Sequence, residues 1–186
     1  MIRKFGPLVT GIVAAALIAL LVFGLVKQGT SRALDHAVAA GQEPPAPNTT
    51  RRLPVLDGVS GHTAAITHWR GGVVIVNFWA SWCPSCVAEA PLLERAERSL
   101  VAQHSGTVVG ITYKDVASDA LSDIKSRGLS YPNLRDADGS YAAGYGTDQL
   151  PETFVLNAHE RVVAIERGPV TTEAWFTAAI AKAERT

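Results

Sequence analysis

The distribution of apolar and polar positions divides the chain into three parts. Residues 5–26 form an uninterrupted run of 22 uncharged residues, mostly Ala, Leu, Ile and Val. As a helix, residues 8–26 span about 28 Å, close to a bilayer core of roughly 30 Å. The run therefore predicts one transmembrane helix kept as an anchor. The alternative is a cleaved signal peptide, which ordinarily has an apolar stretch of about 7–15 residues with a small-x-small site close behind it. The nearest such triplet, Ala37-Val38-Ala39, lies well past the run. Residues 41–50 (GQEPPAPNTT) hold three prolines and show no period, so residues 27–50 are expected to form a semi-rigid linker.

From residue 51 onward the periods change. Residues 73–79 (VVIVNFW) are apolar, β-branched and aromatic behind Gly71-Gly72, the pattern of a strand buried on both faces. Pro84 opens a helical stretch with Val87, Ala90, Leu93, Ala96 and Leu100 at helical spacing. Residues 107–113 (TVVGITY) read as a second buried strand. A helix is expected over 118–127, with Ser118 as cap and Gly128 as stop. Residues 153–157 and 161–166 read as a hairpin, and residues 171–183 as an amphipathic helix. Residues 129–150 support nothing firmer than a turn of helix near 141–144. The order of elements indicates an α/β sandwich, one domain over residues 51–186.

Charge and composition narrow the function. The whole chain balances 17 Lys and Arg against 17 Asp and Glu. Setting aside Arg3, Lys4 and Lys27, which flank the apolar run, leaves a net charge of −3 on residues 28–186. No basic stripe is present, so nucleic acid is not an expected partner. Arg3, Lys4 and the terminal amine precede the run, and the weaker basic cluster after it includes Asp35. That bias predicts residues 1–7 in the cytoplasm and the bulk of the chain outside it, at the cell membrane.

The chain has two cysteines, Cys83 and Cys86. They are too few for a disulfide-built scaffold or a four-thiolate metal site. They fall where a buried strand meets a helix start, in Trp79-Ala80-Ser81-Trp82-Cys83-Pro84-Ser85-Cys86. Unpaired amides at a helix N-terminus favour an anion, so a thiol there is partly thiolate near neutral pH. Pro84 fits the first turn, where its missing N–H costs nothing. Cys86, three residues on, returns to the same face. Such a dithiol attacks a foreign disulfide and releases itself by internal ring closure. Cys83, nearer the exposed turn, is the expected nucleophile; Cys86, expected to be better shielded, resolves the intermediate. Covalent haem attachment needs a histidine where Val87 stands. Copper(I) held by the two thiolates remains the alternative from a different class, without a suitably spaced histidine to assist. No resident cofactor or metal is expected.

VVIVNFWASWCPSCVAEAPLL, then VVGITYKD, then LPETFVLN together resemble the thioredoxin-like thiol:disulfide interchange proteins of cytochrome c maturation, the DsbE/CcmG type within the TlpA/ResA group. The resemblance covers residues 51–186 and extends to the anchor-plus-linker layout. It implies a thioredoxin-like fold, a central mixed sheet flanked by helices, and a reductase whose clients are oxidised apocytochrome c CxxCH motifs. It also implies a transmembrane thiol donor of the DsbD or CcdA kind. By the same resemblance Pro151 matches a cis-proline beside the dithiol, with Leu150 offering its backbone to substrate; by sequence alone Pro151 is a trans proline opening a strand. Glu89 matches a partly buried acid that handles protons, the alternative being a solvated helix carboxylate. Glu152 matches a second acid, or else an exposed strand residue. Trp82 and Pro84 border the substrate site, and Trp79 and Trp82 shield the dithiol, though Trp79 equally fits a core role. Asn77 stands where ordinary thioredoxins carry a buried aspartate. Pro91 matches a helix-interior proline, and Tyr113-Lys114-Asp115 either borders the groove or forms a plain surface turn. The open alternatives within this chemistry are a general reductase and an oxidase.

Overall fold

The computed structural model describes residues 13–20 and 32–186. Residues 13–20 are helical with exposed side chains. The remainder of the expected anchor, residues 8–12 and 21–26, lies outside the described residues, among which no helix is long and apolar enough to cross a membrane.

The expected α/β architecture is present. Its centre is β3 (Val73–Trp79), every residue of which is buried. Alternate side chains enter two cores. Val74, Val76 and Phe78 join one cluster with Phe154, Tyr141 and Tyr145. Val73 and Ile75 join the other with Leu93, Leu100 and Phe176. Burial on both faces explains the continuous apolar run. β3 pairs in parallel with β4 (Gly106–Tyr113), and β4 in parallel with β5 (Asn133–Asp136). On the other side β6 (Glu152–Leu156) runs antiparallel to β3, and β7 (Val162–Arg167) antiparallel to β6. The resulting order is β5-β4-β3-β6-β7. A short hairpin of β1 (Leu53–Pro54) and β2 (Thr63–Ala64) precedes this sheet.

After residue 32 the described residues hold five α-helices, α1 (Ala33–Ala39), α2 (Pro84–Ala102), α3 (Ala117–Arg127), α4 (Ser140–Gly144) and α5 (Glu173–Ala183), and one 3-10 turn at Ile66–Trp69. α2 and α5 supply Leu93, Ala96, Leu100, Phe176 and Ala179 to one core. α4, the hairpin and α1, through Leu34 and Val38, cover the other face. Because β3 is central, its carboxyl end delivers the turn into α2 to the middle of the sheet's edge, where open α/β sheets place their sites.

Three expectations are corrected. Residues 41–50, expected as part of a semi-rigid linker, are docked on the domain at Pro44 and Ala46. Pro44 C=O accepts from Val162 N–H at 2.8 Å, Ala46 N–H donates to Glu160 C=O at 2.9 Å, and Ala46 is buried. The segment thus covers part of the open edge of β7, whose backbone groups need partners. α3 begins one residue early, with Val116 in the N-cap position and no side-chain cap; the Ser118 hydroxyl bonds Asp119 instead. Residues 129–150 contain a real strand, β5. Its Asn133 and Asp136 are buried polar residues, so it shows no apolar alternation.

Candidate active site

Cys83 is the N-cap of α2, and Pro84 takes the first helical position, as the motif predicts. The two cysteines are joined as a disulfide with Cα atoms 5.4 Å apart. Cys83 Sγ accepts the Cys86 N–H at 3.2 Å and lies 3.5 Å from Ser85 Oγ. Exposure does not separate the pair as expected: Cys83 is 4% and Cys86 6% exposed. The helix end separates them instead. Cys83 Sγ sits at the open amides of the first turn, and that location favours its thiolate.

The turn before the dithiol is held from a distance. Asp115, just past β4, accepts Ser81 N–H at 2.6 Å and Ser81 Oγ–H at 2.9 Å, and also takes Val116 N–H at 2.8 Å. Arg135 of β5 in turn donates to the Asp115 carbonyl at 3.2 Å and 3.3 Å. The Tyr113-Lys114-Asp115 segment is therefore more than a surface turn. Replacing Asp115 by alanine strands the Ser81 and Val116 N–H groups, and about 1–3 kcal/mol of stability should go with them. A urea titration showing an unchanged midpoint for Asp115→Ala would reject this role.

Both tryptophans flank the pair differently. Trp79 is buried in one cluster with Cys83, Cys86, Ala80 and Leu56. Its indole N–H donates to Asn133 Oδ1 at 2.9 Å. Gly110 permits that bond, since a Cβ there would lie 2.0 Å from Asn133 Oδ1 and 2.8 Å from the Trp79 nitrogen. Trp82 is 58% exposed, an apolar surface directly before Cys83.

Glu89 lies one turn beyond Cys86 on α2 and is 1% exposed, not a solvated helix carboxylate. Three segments converge on it. Oε2 accepts Asn77 Nδ2 of β3 at 3.0 Å; Oε1 accepts Val170 N–H at 2.8 Å and the Thr153 hydroxyl of β6 at 3.5 Å. Asn77 and Thr153 are register partners and also bond each other at 3.0 Å. Burial pushes the Glu89 carboxyl up to about 7, against the pull of these three donors. Asn77 thus presents the acid rather than replacing it.

The Leu150–Pro151 peptide bond is cis. Leu150 packs against the Cys83, Cys86 and Trp79 cluster. Its backbone N–H and C=O have no partner among the described residues, whereas Pro151 C=O accepts Gly168 N–H at 3.0 Å. Glu152 is buried and pairs with Arg167, so the exposed-strand alternative is excluded. Burial raises its carboxyl above the ordinary range, outweighing Thr147 and Arg167. Arg167 and Asp115 were not singled out as site residues in the sequence. YKD marked the position of Asp115; nothing local marks Arg167. Among the described residues no group of three or more His, Cys, Asp or Glu side chains is placed to hold a metal ion.

Comparison with known proteins agrees with this geometry. A family model described as Redoxin matches residues 39–184. The DsbE thiol:disulfide interchange protein of Allochromatium vinosum is 36% identical over 107 residues, 56% of this chain and 56% of the relative. The thiol-disulfide oxidoreductase ResA of Bacillus subtilis is 26% identical over 136 residues, 73% of this chain and 75% of the relative. The chain spans little more than half the length of the DsbE relative it matches. Among solved structures, a secreted thiol-disulfide isomerase from Corynebacterium glutamicum superposes with a TM-score of 0.64 at 27% identity, over 77% of this chain and 93% of that one. The fold is thioredoxin-like, and the chain, with Cys83 and Cys86 as its CxxC pair and with similarity to the DsbE and ResA proteins, belongs to the redoxin family.

Proposed function

We propose that this chain is a thiol:disulfide oxidoreductase, that it works as an extracytoplasmic reductase held at the membrane by residues 8–26, and that its clients are oxidised CxxCH motifs of apocytochrome c awaiting haem. The observation that carries the reading is the packing of the helix-capping Cys83 against the Leu150–Pro151 turn, where the Leu150 backbone groups have no partner among the described residues. An extended client segment pairs with Leu150 as an added strand and brings its disulfide to Cys83. Trp82 and Pro84 form the adjoining surface.

Cys83 thiolate attacks one client sulfur, forming a mixed disulfide and releasing the other client sulfur as thiolate. Cys86, deprotonated, then attacks Cys83 Sγ. The client's second thiolate leaves, and the Cys83–Cys86 disulfide forms. Two electrons pass to the client, whose thiolates take up two protons. Glu89 is the proton-handling group one turn behind Cys86. A transmembrane dithiol donor of the DsbD or CcdA type returns the enzyme to its reduced form. The relatives' names support the thiol:disulfide exchange chemistry, DsbE being a thiol:disulfide interchange protein and ResA a thiol-disulfide oxidoreductase. The similar C. glutamicum protein is described as secreted, consistent with an extracytoplasmic site.

Two measurements test the reading. Equilibration with redox buffers should give a reducing potential; each 30 mV toward the oxidants is about 1.4 kcal/mol against reduction, and a potential near that of strong oxidants points to an oxidase. Cys86→Ser should trap the client as a stable mixed disulfide. Capture of other proteins without apocytochrome c assigns a general reductase instead.

A further inference from the structure

The ion pairs beside the Pro151 turn reach back to α1, and nothing in the thiol chemistry uses them. Arg167, the last residue of β7, donates Nε to Asp35 Oδ1 at 3.0 Å and Nη2 to Asp35 Oδ2 at 2.6 Å. Its Nη1 bonds Glu152, and Nη2 also reaches the Tyr145 carbonyl at 3.1 Å. The next residue, Gly168, ties down the Pro151 carbonyl. Arg32 and Asp35 on one side and residues 148–152 on the other line a cleft of about 270 Å³ that opens beside Leu150.

A fork-to-carboxylate pair fixes the plane of a guanidinium as well as its position. With Nε and Nη2 committed to Asp35, Nη1 is aimed at Glu152. Glu152 is buried, so its charge depends on that partner. The residue before Glu152 is Pro151, and the residue after Arg167 holds Pro151 in place. We propose that Asp35 is a positioning residue for client binding: acting through Arg167, it holds Glu152 and the Leu150–Pro151 turn in the arrangement that receives the client. Residues 33–50 are then part of the working site and not a spacer. Without Asp35 the guanidinium keeps its contacts with Glu152 and the Tyr145 carbonyl but loses the fork that fixes its plane, so its alignment on Glu152 loosens and the turn shifts with it. This inference rests on the reading that clients pair with Leu150.

The test uses the full chain in detergent micelles, prereduced and mixed in single turnover with either of two oxidants. One is a synthetic peptide containing an oxidised CxxC motif; the other is 2-hydroxyethyl disulfide, which is too small to pair along Leu150. For Asp35→Asn the half-saturating peptide concentration should rise about tenfold while the limiting rate and the equilibrium potential stay within about twofold. Asp35→Glu should recover part of the loss, because it restores the charge on a longer arm. An unchanged half-saturating concentration, an equal defect toward the small disulfide, or a matching shift in potential overturns the positioning role. If the parent chain itself saturates no more readily with the peptide than with the small disulfide, the Leu150 reading fails and takes this inference with it.

Discussion

Cys83→Ser is expected to abolish disulfide reduction, lowering kcat/KM by ~10³ or more, while the fold survives. One sulfur has two separable jobs in the proposed reaction. As N-cap of α2, Cys83 Sγ accepts the Cys86 N–H at 3.2 Å. Serine is among the best N-cap residues and its oxygen can take over that bond, so helix stability should change by less than about 1 kcal/mol apart from the lost disulfide. In the proposed role of nucleophile the sulfur has no substitute, because a serine hydroxyl is not ionised near neutral pH and does not exchange with disulfides. The proper reference for stability is therefore the Cys86→Ser chain, which also lacks the disulfide. Insulin-disulfide reduction and thermal melts of both variants make the comparison. Residual turnover by Cys83→Ser above that of Cys86→Ser would show the roles to be reversed.

Glu89→Gln is expected to remove most of the pH dependence of stability between pH 5 and 8. In the folded chain the Glu89 carboxyl titrates near 7, against 4.5 for a free side chain. Between those values the native state holds a proton that the unfolded state has released. Stability is therefore full below about 4.5 and declines as pH rises through 7. A difference of this size is worth roughly 3 kcal/mol by linkage. Glutamine stays neutral throughout and keeps an acceptor for Val170 N–H, so its melting temperature should vary much less with pH. Glu97, Asp136 and Glu152 are also shifted upward by burial and leave a smaller slope of the same sign. The inflection near pH 7 in the rate of disulfide reduction should vanish too, with a loss of about 10²-fold where proton transfer limits the rate. Parallel pH–stability curves for parent and variant would show that the carboxyl is charged in the fold, contrary to its environment.

What was legible in the sequence had a local cause. VVIVNFW announced β3 because a strand buried on both faces needs no polar position. Pro84 and the spacing of Val87, Ala90, Leu93, Ala96 and Leu100 announced α2. The dithiol stood out because cap chemistry and Cys-x-x-Cys geometry act within one helical turn. β5 did not stand out, since Asn133 spends its side chain on Trp79 and Tyr131, and Asp136 on the amides of Tyr141 and Ala142. A strand that works through polar side chains carries no apolar period. Residues 41–50 misled for a related reason. Prolines cannot build a sheet interior, but they can lie along an edge, as Pro44 and Pro45 do beside Arg161 and Val162.

The sequence by itself determined the class of chemistry: two cysteines at a strand-to-helix junction, placed so that one sulfur caps the helix and the other lies one turn away. Periodicity, capping and the Cys-x-x-Cys spacing are properties of neighbouring residues, and neighbours are what a sequence records. Only the tertiary structure decided how that dithiol is held and tuned. Asp115 secures Ser81 from 34 positions away, and Val170 reaches Glu89 across 81. Arg167 meets Asp35 across 132. A carboxyl's proton affinity depends on the water it has lost and the donors it has met. For Glu89 both are supplied by strands and loops distant in the chain, so the value near 7 exists only once the sheet has closed around it.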